Sequence, residues 1–325
     1  MQLPVLTRML VLAGMLVLAS AGPATADRVI GHGTPASCSS ARVVAAVRHG
    51  GLIRFSCGPA PVTIRMRATA KVVNTSRRVV IDGGGLVTLS GQDRRRILYL
   101  DTCDKRQIWT TSHCQNQATP RLTIEHLGFT DGNSTGQRFD GGGGGAIFDR
   151  GGRLRIVDST FTGNRCDPTG PDLGGGAVRA LSQYRSLPVE VIDSRFDRNV
   201  CSNGGALSSI GVSWTVTGST FTANRAIGRG ANPAKRGTPG GGSGGAIYND
   251  GDRMALRISR SSFTGNHANE GGGAIFFVSD DRTGTLSIHH SILTNNVNDG
   301  FQTQGLPGIF FLGAHRPSII GSKLR

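Results

Sequence analysis

Lysine is nearly missing from this chain. Of 36 basic residues only Lys71, Lys105, Lys235 and Lys323 are lysines, and the rest are arginines. Large polar aromatics are equally scarce, with Trp109, Trp214 and three Tyr in 325 residues. That leaves little material for the aromatic platforms of a carbohydrate-processing groove. No run of five or more basic residues occurs, so the sequence has no basic arm of the nucleic-acid-binding kind, and no specific nucleic-acid partner is expected. There is no nucleophile elbow, phosphate loop or HExxH segment. No CxxC or zinc-ligand spacing is present either, which leaves metal and thiol-redox readings without a motif. Beyond the first residues no apolar run is long enough to span a bilayer.

What is present begins with a secretory pattern. Arg8, an apolar run over 9–21 and Ala24-Thr-Ala26 before Asp27 predict a signal peptide over 1–26 and an exported chain over 27–325. Export to the cell envelope or the medium is the expectation, with no transmembrane segment after cleavage. Removing Arg8 leaves 35 of the 36 basic residues against 21 acidic ones. Such a balance favours anionic partners: acidic polysaccharide, phospholipid head groups or another envelope component. The plainer alternative is arginine scattered over a solvated surface.

Six cysteines behind a signal peptide imply an oxidising compartment and up to three disulfides. Cys166 and Cys201 each lie five residues beyond a phenylalanine, Phe161 and Phe196. They therefore occupy one position in successive repeats and are predicted to pair. Cys103 and Cys114 bracket a short polar insertion and are predicted to pair locally, which leaves Cys38 with Cys57.

The organising feature is a repeat. Segments 122–129, 154–164, 189–199, 214–224, 256–266, 286–296 and 317–324 share one pattern, with Phe129, Phe161, Phe196, Phe221, Phe263, Leu293 and Leu324 at a common position. The spacings between these are 32, 35, 25, 42, 30 and 31, in the range of solenoids. A second element interleaves with the first: Gly144-Gly-Ala-Ile147, Gly175-Gly-Ala-Val178, Gly204-Gly-Ala-Leu207, Gly244-Gly-Ala-Ile247 and Gly272-Gly-Ala-Ile275. Short alternating strands between Gly and Asn turns predict stacked parallel coils, with an outward column Thr123, Arg155, Glu190, Thr215, Arg257, Ser287. Ahead of them, 38–51 predicts a short capping helix, with Ser39 or Ser40 as N-cap and Gly50 as stop. The stretch 52–121 predicts irregular first coils, with strands at 78–81 and 86–89 broken by Asp82-Gly-Gly-Gly85. The glycine runs 141–145 and 240–245 read as flexible spacers.

Phe161-Thr-Gly-Asn164, Phe196-Asp-Arg-Asn199, Phe221-Thr-Ala-Asn224 and Phe263-Thr-Gly-Asn266, alternating with the GGA elements, resemble the repeats of the polymorphic outer-membrane protein family. The chain as a whole is similar to secreted bacterial right-handed parallel β-helix proteins of the pectate-lyase-like superfamily. The first resemblance implies adhesion or surface display, the second polysaccharide cleavage. The first copy, Phe129-Thr-Asp-Gly-Asn133, is one residue long, and the sixth reads Leu293-Thr-Asn-Asn296. The expected fold class is thus an all-β right-handed parallel β-helix.

Two functions follow. One is a non-catalytic binding or adhesion protein, for which the insertion 225–243, with Arg225, Arg229, Lys235 and Arg236, is the expected contact for an anionic polymer. The other is a lyase or hydrolase acting on an acidic polysaccharide. Its expected residues are Asp158 and Asp193, which share one repeat position, with Glu190 nearby. The plainer reading of these aspartates is an Asp-Ser turn in which the side chain bonds local backbone. No cofactor is expected for binding, and Ca²⁺ enters only with the lyase reading. Ser318-Ile-Ile-Gly-Ser-Lys-Leu324 aligns with Thr215-Val-Thr-Gly-Ser-Thr-Phe221. An open last coil at which a second copy or another partner docks is therefore expected.

Overall fold

The computed structural model describes residues 27–325, so the signal-peptide expectation for 1–26 lies outside the described residues. Nearly every strand pairs in parallel with its counterpart in the coil before and after, in continuous ladders from Arg28–Ile30 to Lys323–Leu324. The chain is an all-β parallel β-helix solenoid, with one α-helix among the described residues.

Each regular coil runs through the same stations, as the second shows. Arg153–Val157 is followed by a one-residue bend at Asp158, then by Thr160–Thr162 and by a second bend at Gly163 that leads into Asn164. The path then crosses a short sheet that begins in the next coil at Val200–Cys201, an external loop, and a third sheet that starts after each GGA motif. The bends take positive φ in every coil: Asp158, Asp193, Gly218, Arg260, His290 and Gly321 at the first, and Gly163, Arg198, Ala223, Gly265 and Asn295 at the second.

Register follows the repeat position. Phe129, Phe161, Phe196, Phe221 and Phe263 stack with ring centroids 4.9, 4.8, 4.8 and 4.4 Å apart and planes within 5° of parallel. All five are buried. The Asn of FxxN forms a second row. Asn164 Nδ2 donates to Asn199 Oδ1, and so on through Asn224, Asn266 and Asn296, at 2.8–2.9 Å. Each of these oxygens also accepts the backbone N–H of the preceding asparagine. The extra residue of the first copy has a clear effect: Asn133 pairs with Arg165 on the outward side, and Gly132 takes the asparagine station. A side chain could not stand there, because a Cβ on Gly132 would come within 2.3 Å of the Gly145 carbonyl.

The GGA motif is steric. The first glycine is left-handed, with φ of 50–74° in the five copies. A Cβ on the second would lie 2.0–2.5 Å from backbone of neighbouring coils. Outside the third sheet, Phe148, Arg179, Ser208, Tyr248 and Phe276 form an outward column that is nonetheless buried, because the external loops fold over it. The glycine-rich runs belong to that cover and are not spacers. Gly143 and Gly144 turn their carbonyls to Arg96 at 2.7 and 3.1 Å, and Gly241 pairs antiparallel with Ala231.

The cap is the helix Ser40–His49, with the Ser39 hydroxyl accepting from Arg42 N–H and Gly50 as C-cap at φ 72°. Val43 and Val47 are fully buried beneath it. Two details of the early coils depart from the sequence reading. The polar lead contains a strand, Arg28–Ile30, that pairs with Gly51–Phe55. Asp82-Gly-Gly-Gly85 does not end a strand but forms an irregularity inside one, Arg78–Ser90, whose register shifts between Asp82 and Val87. Disulfides join Cys38 to Cys57, Cys103 to Cys114 and Cys166 to Cys201, with Cα separations of 5.7, 4.9 and 4.8 Å.

Candidate functional site

The first bend places Asp158 and Asp193 on consecutive coils, and their backbone N–H groups bond the next coil's Ile192 and Thr217 carbonyls at 2.9 Å. The expected bond from the aspartate side chain to local backbone is replaced by one from the following serine. Ser159 and Ser194 hydroxyls donate to the Val157 and Ile192 carbonyls at 2.8 Å. They accept in turn from Leu127 and Ser159 N–H. This serine row continues through Ser219, Ser261, Ser291 and Ser322 at 3.0–3.1 Å. A serine two residues before each Phe or Leu was the available sequence signal. The aspartate side chains are thereby released to solvent, that of Asp158 being 68% exposed.

In the bend column Asp158 lies between His126 and Asp193, and Asp193 between Asp158 and Gly218. His126, one coil earlier, holds Nδ1 3.0 Å from Asp82 Oδ1 and Nε2 3.9 Å from Asp158 Oδ2. The hydrogen bond with Asp82 raises the His126 pKa above the ordinary value. Glu190 meets Arg155 across coils at 3.0 Å. Above Asp193 the column continues with Gly218, Arg260 and His290. Among the described residues no three His, Cys, Asp or Glu side chains converge as a metal site would require.

The insertion over 225–243 is folded onto the solenoid. Arg229 and Ala231 pair antiparallel with Gly240 and Gly241. Glu270 accepts Gly230 N–H at 2.7 Å and meets Lys235 Nζ at 3.3 Å. Asn232 reaches Tyr248 and Asp250. Arg225 sits one strand away, between Val200 and His267 of the short sheet. The four cations named from sequence are all exposed but spread over several elements, and Lys235 is neutralised.

A tighter cationic arrangement lies near the first coils. A cleft of about 240 Å³ is lined by Lys71, Tyr99, Arg106, Arg138 and Phe139 over a floor of Arg96 and Asp140. Arg96 is buried, donates to Asp140 at 2.6 Å and lies 4.8 Å from the Phe148 ring centroid. Arg106 grips Asp104 through Nε and Nη2 at 2.9 and 3.1 Å, and Arg138 grips Asp167 through the same two atoms at 3.1 and 3.0 Å. Both aspartates are buried. Burial pushes the Asp104 carboxyl up, but bonds from Arg106 and Gln107 outweigh it and hold it at about 2. Sequence reasoning missed this group because its members come from four unrelated segments that share no repeat position.

Residues 260–278 match the Chlamydia polymorphic membrane protein repeat. That stretch holds one FxxN element and one GGA element, Phe263 to Asn266 and Gly272 to Ile275. No curated protein and no solved structure matches the chain.

Proposed function

We propose that this is an exported, surface-displayed solenoid that binds an acidic polymer of the cell envelope and does not transform it. The observation that carries the reading is the state of its exposed carboxylates. Glu190 is paired with Arg155 at 3.0 Å, Asp158 faces His126, and beyond Asp193 the column holds Gly218 and then Arg260, with no further carboxylate. An acid and base pair needs two carboxylates whose environments drive their pKa values apart. Here the raised carboxyls are Asp101, Asp149 and Asp250, each pushed up by burial within the loop-covered side of the coil. Meanwhile the chain carries 36 basic residues against 21 acidic ones, which suits a polyanion. Export and surface display draw support from the N-terminal sequence, the three disulfides and the matched repeat.

The test is to incubate the exported, purified chain with acidic polysaccharides in the presence of Ca²⁺. Binding that weakens with salt and leaves polymer length unchanged is the expected result. Release of unsaturated or reducing ends, abolished by Asp158→Ala or Asp193→Ala, would overturn it in favour of a lyase or hydrolase.

A further inference from the structure

The cleft over Arg96 has features that the rest of the basic surface lacks. Its two outer arginines are held side-on. Each gives Nε and Nη2 to a buried aspartate, which fixes the guanidinium plane and leaves the Nη1 edge free. Arginines positioned in this way lose little further rotamer freedom when they take up an anion. Lys71 has no acidic partner among the ion pairs of the described residues and lies 5.5 Å from the Tyr99 ring centroid. Phe139 is 77% exposed, the most exposed large apolar residue among those described, and Arg106 stacks on it at 4.2 Å. One wall is stapled by the Cys103–Cys114 disulfide, whose loop carries Arg106. The other is pinned by Arg96, which donates to the Gly143 and Gly144 carbonyls at the base of the loop bearing Phe139.

We propose that this cleft is a binding site for one anionic sugar unit, carboxylated or sulfated. Its acidic group would lie against Lys71 and the free edges of Arg106 and Arg138, and the face of its ring against Phe139. A volume of about 240 Å³ falls below the range of sites for drug-sized ligands and suits a single sugar ring. Arg96, Arg106 and Arg138 are each matched by an aspartate, so the charge that selects the ligand is that of Lys71, and the two rim arginines add fixed N–H donors. The inference rests on the reading of the chain as a binder of acidic polymer.

Calorimetry on the exported chain tests it, with trigalacturonate as the carboxylated probe, sulfated maltotriose as the sulfated one and neutral maltotriose as the blank. One or both acidic trisaccharides should bind and the neutral one should not; which of them binds identifies the acidic group. Lys71→Gln and Phe139→Ala, both at exposed positions, should each weaken binding about tenfold, a change of roughly 1.4 kcal/mol. Arg48→Gln, on the capping helix, should leave it unchanged. If acidic trisaccharides bind and neither cleft variant matters, the site is elsewhere and the inference fails while the broader reading stands. It fails in the same way if only long polymers bind, or if Lys71→Gln weakens binding and Phe139→Ala does not, which would mark a bare anion site. If neither trisaccharides nor long acidic polymers bind, both readings fail.

Discussion

Asn199 donates from Nδ2 to Asn224 Oδ1 at 2.9 Å, and the same oxygen accepts the backbone N–H of Asn199 at 3.0 Å. Asn224 in turn donates to the Phe196 carbonyl. Replacing Asn224 by Ala therefore strands two donors and an acceptor in a dry turn. Each buried polar group left unpaired costs about 1–3 kcal/mol. Asn224→Ala should destabilise by about 3 kcal/mol or more in urea unfolding, far beyond the effect of the same change at half-buried Asn298, whose amide bonds Gln302 at the surface.

The phenylalanine row has a different chemistry and tolerance. Phe221→Ala removes a ring that stacks on both sides and should cost about 3–5 kcal/mol. Phe263→Leu should cost less, about 1.5 kcal/mol, because the next coil already carries Leu293 at that station. Chemical denaturation of the two variants under one set of conditions checks the ranking.

Both rows were legible in the sequence because they repeat. Phe161, Phe196 and Phe221 share a position, and so do Asn164, Asn199 and Asn224, and only stacking makes such positions equivalent. What the sequence concealed is what does not repeat. Arg96 reaches Asp140 from 44 residues away, and the cleft joins Lys71 to Phe139 through two loops of unrelated composition. A pattern search finds residues whose environment recurs in every coil. A site assembled from irregular loops has one environment only, and its members look like ordinary surface arginines. The first glycine run misled for a related reason: five glycines read as slack, yet the carbonyls of two of them, Gly143 and Gly144, serve a buried guanidinium.

Asp149 predicts a dependence on pH. It is fully buried, Gln183 donates to one carboxyl oxygen, and the other has no partner. Burial raises its folded-state pKa well above the ordinary carboxyl value. The native state then binds more protons than the unfolded chain above about pH 3.9, so this group lowers stability as pH rises through the window up to its folded pKa. Asp149→Asn should be more stable than the parent at pH 7, with the gain shrinking towards about pH 4. Melting temperatures across that range measure it; a constant difference would mean that the carboxyl does not titrate with folding.

His126 runs the other way. Its folded pKa is raised by Asp82, so its contribution is complete below the ordinary histidine value of about 6.5 and is lost as pH rises through the folded value. The ring is 45% exposed, which keeps the effect small. His126→Gln should remove a shallow decline in melting temperature above about pH 6.5, and NMR titration of the ring should give a midpoint above the ordinary histidine value.

The ring row closes equally well over 25 residues, from Phe196 to Phe221, and over 42, from Phe221 to Phe263. A coil therefore places no demand on the length of the segment it extrudes, only on the few residues that return to register. Frame and cargo can change independently in such a molecule. A lineage can lengthen or shorten the tips of its external segments without renegotiating the ring row, and an engineer can graft a foreign peptide at the exposed tip between Arg236 and Gly237 by the same allowance.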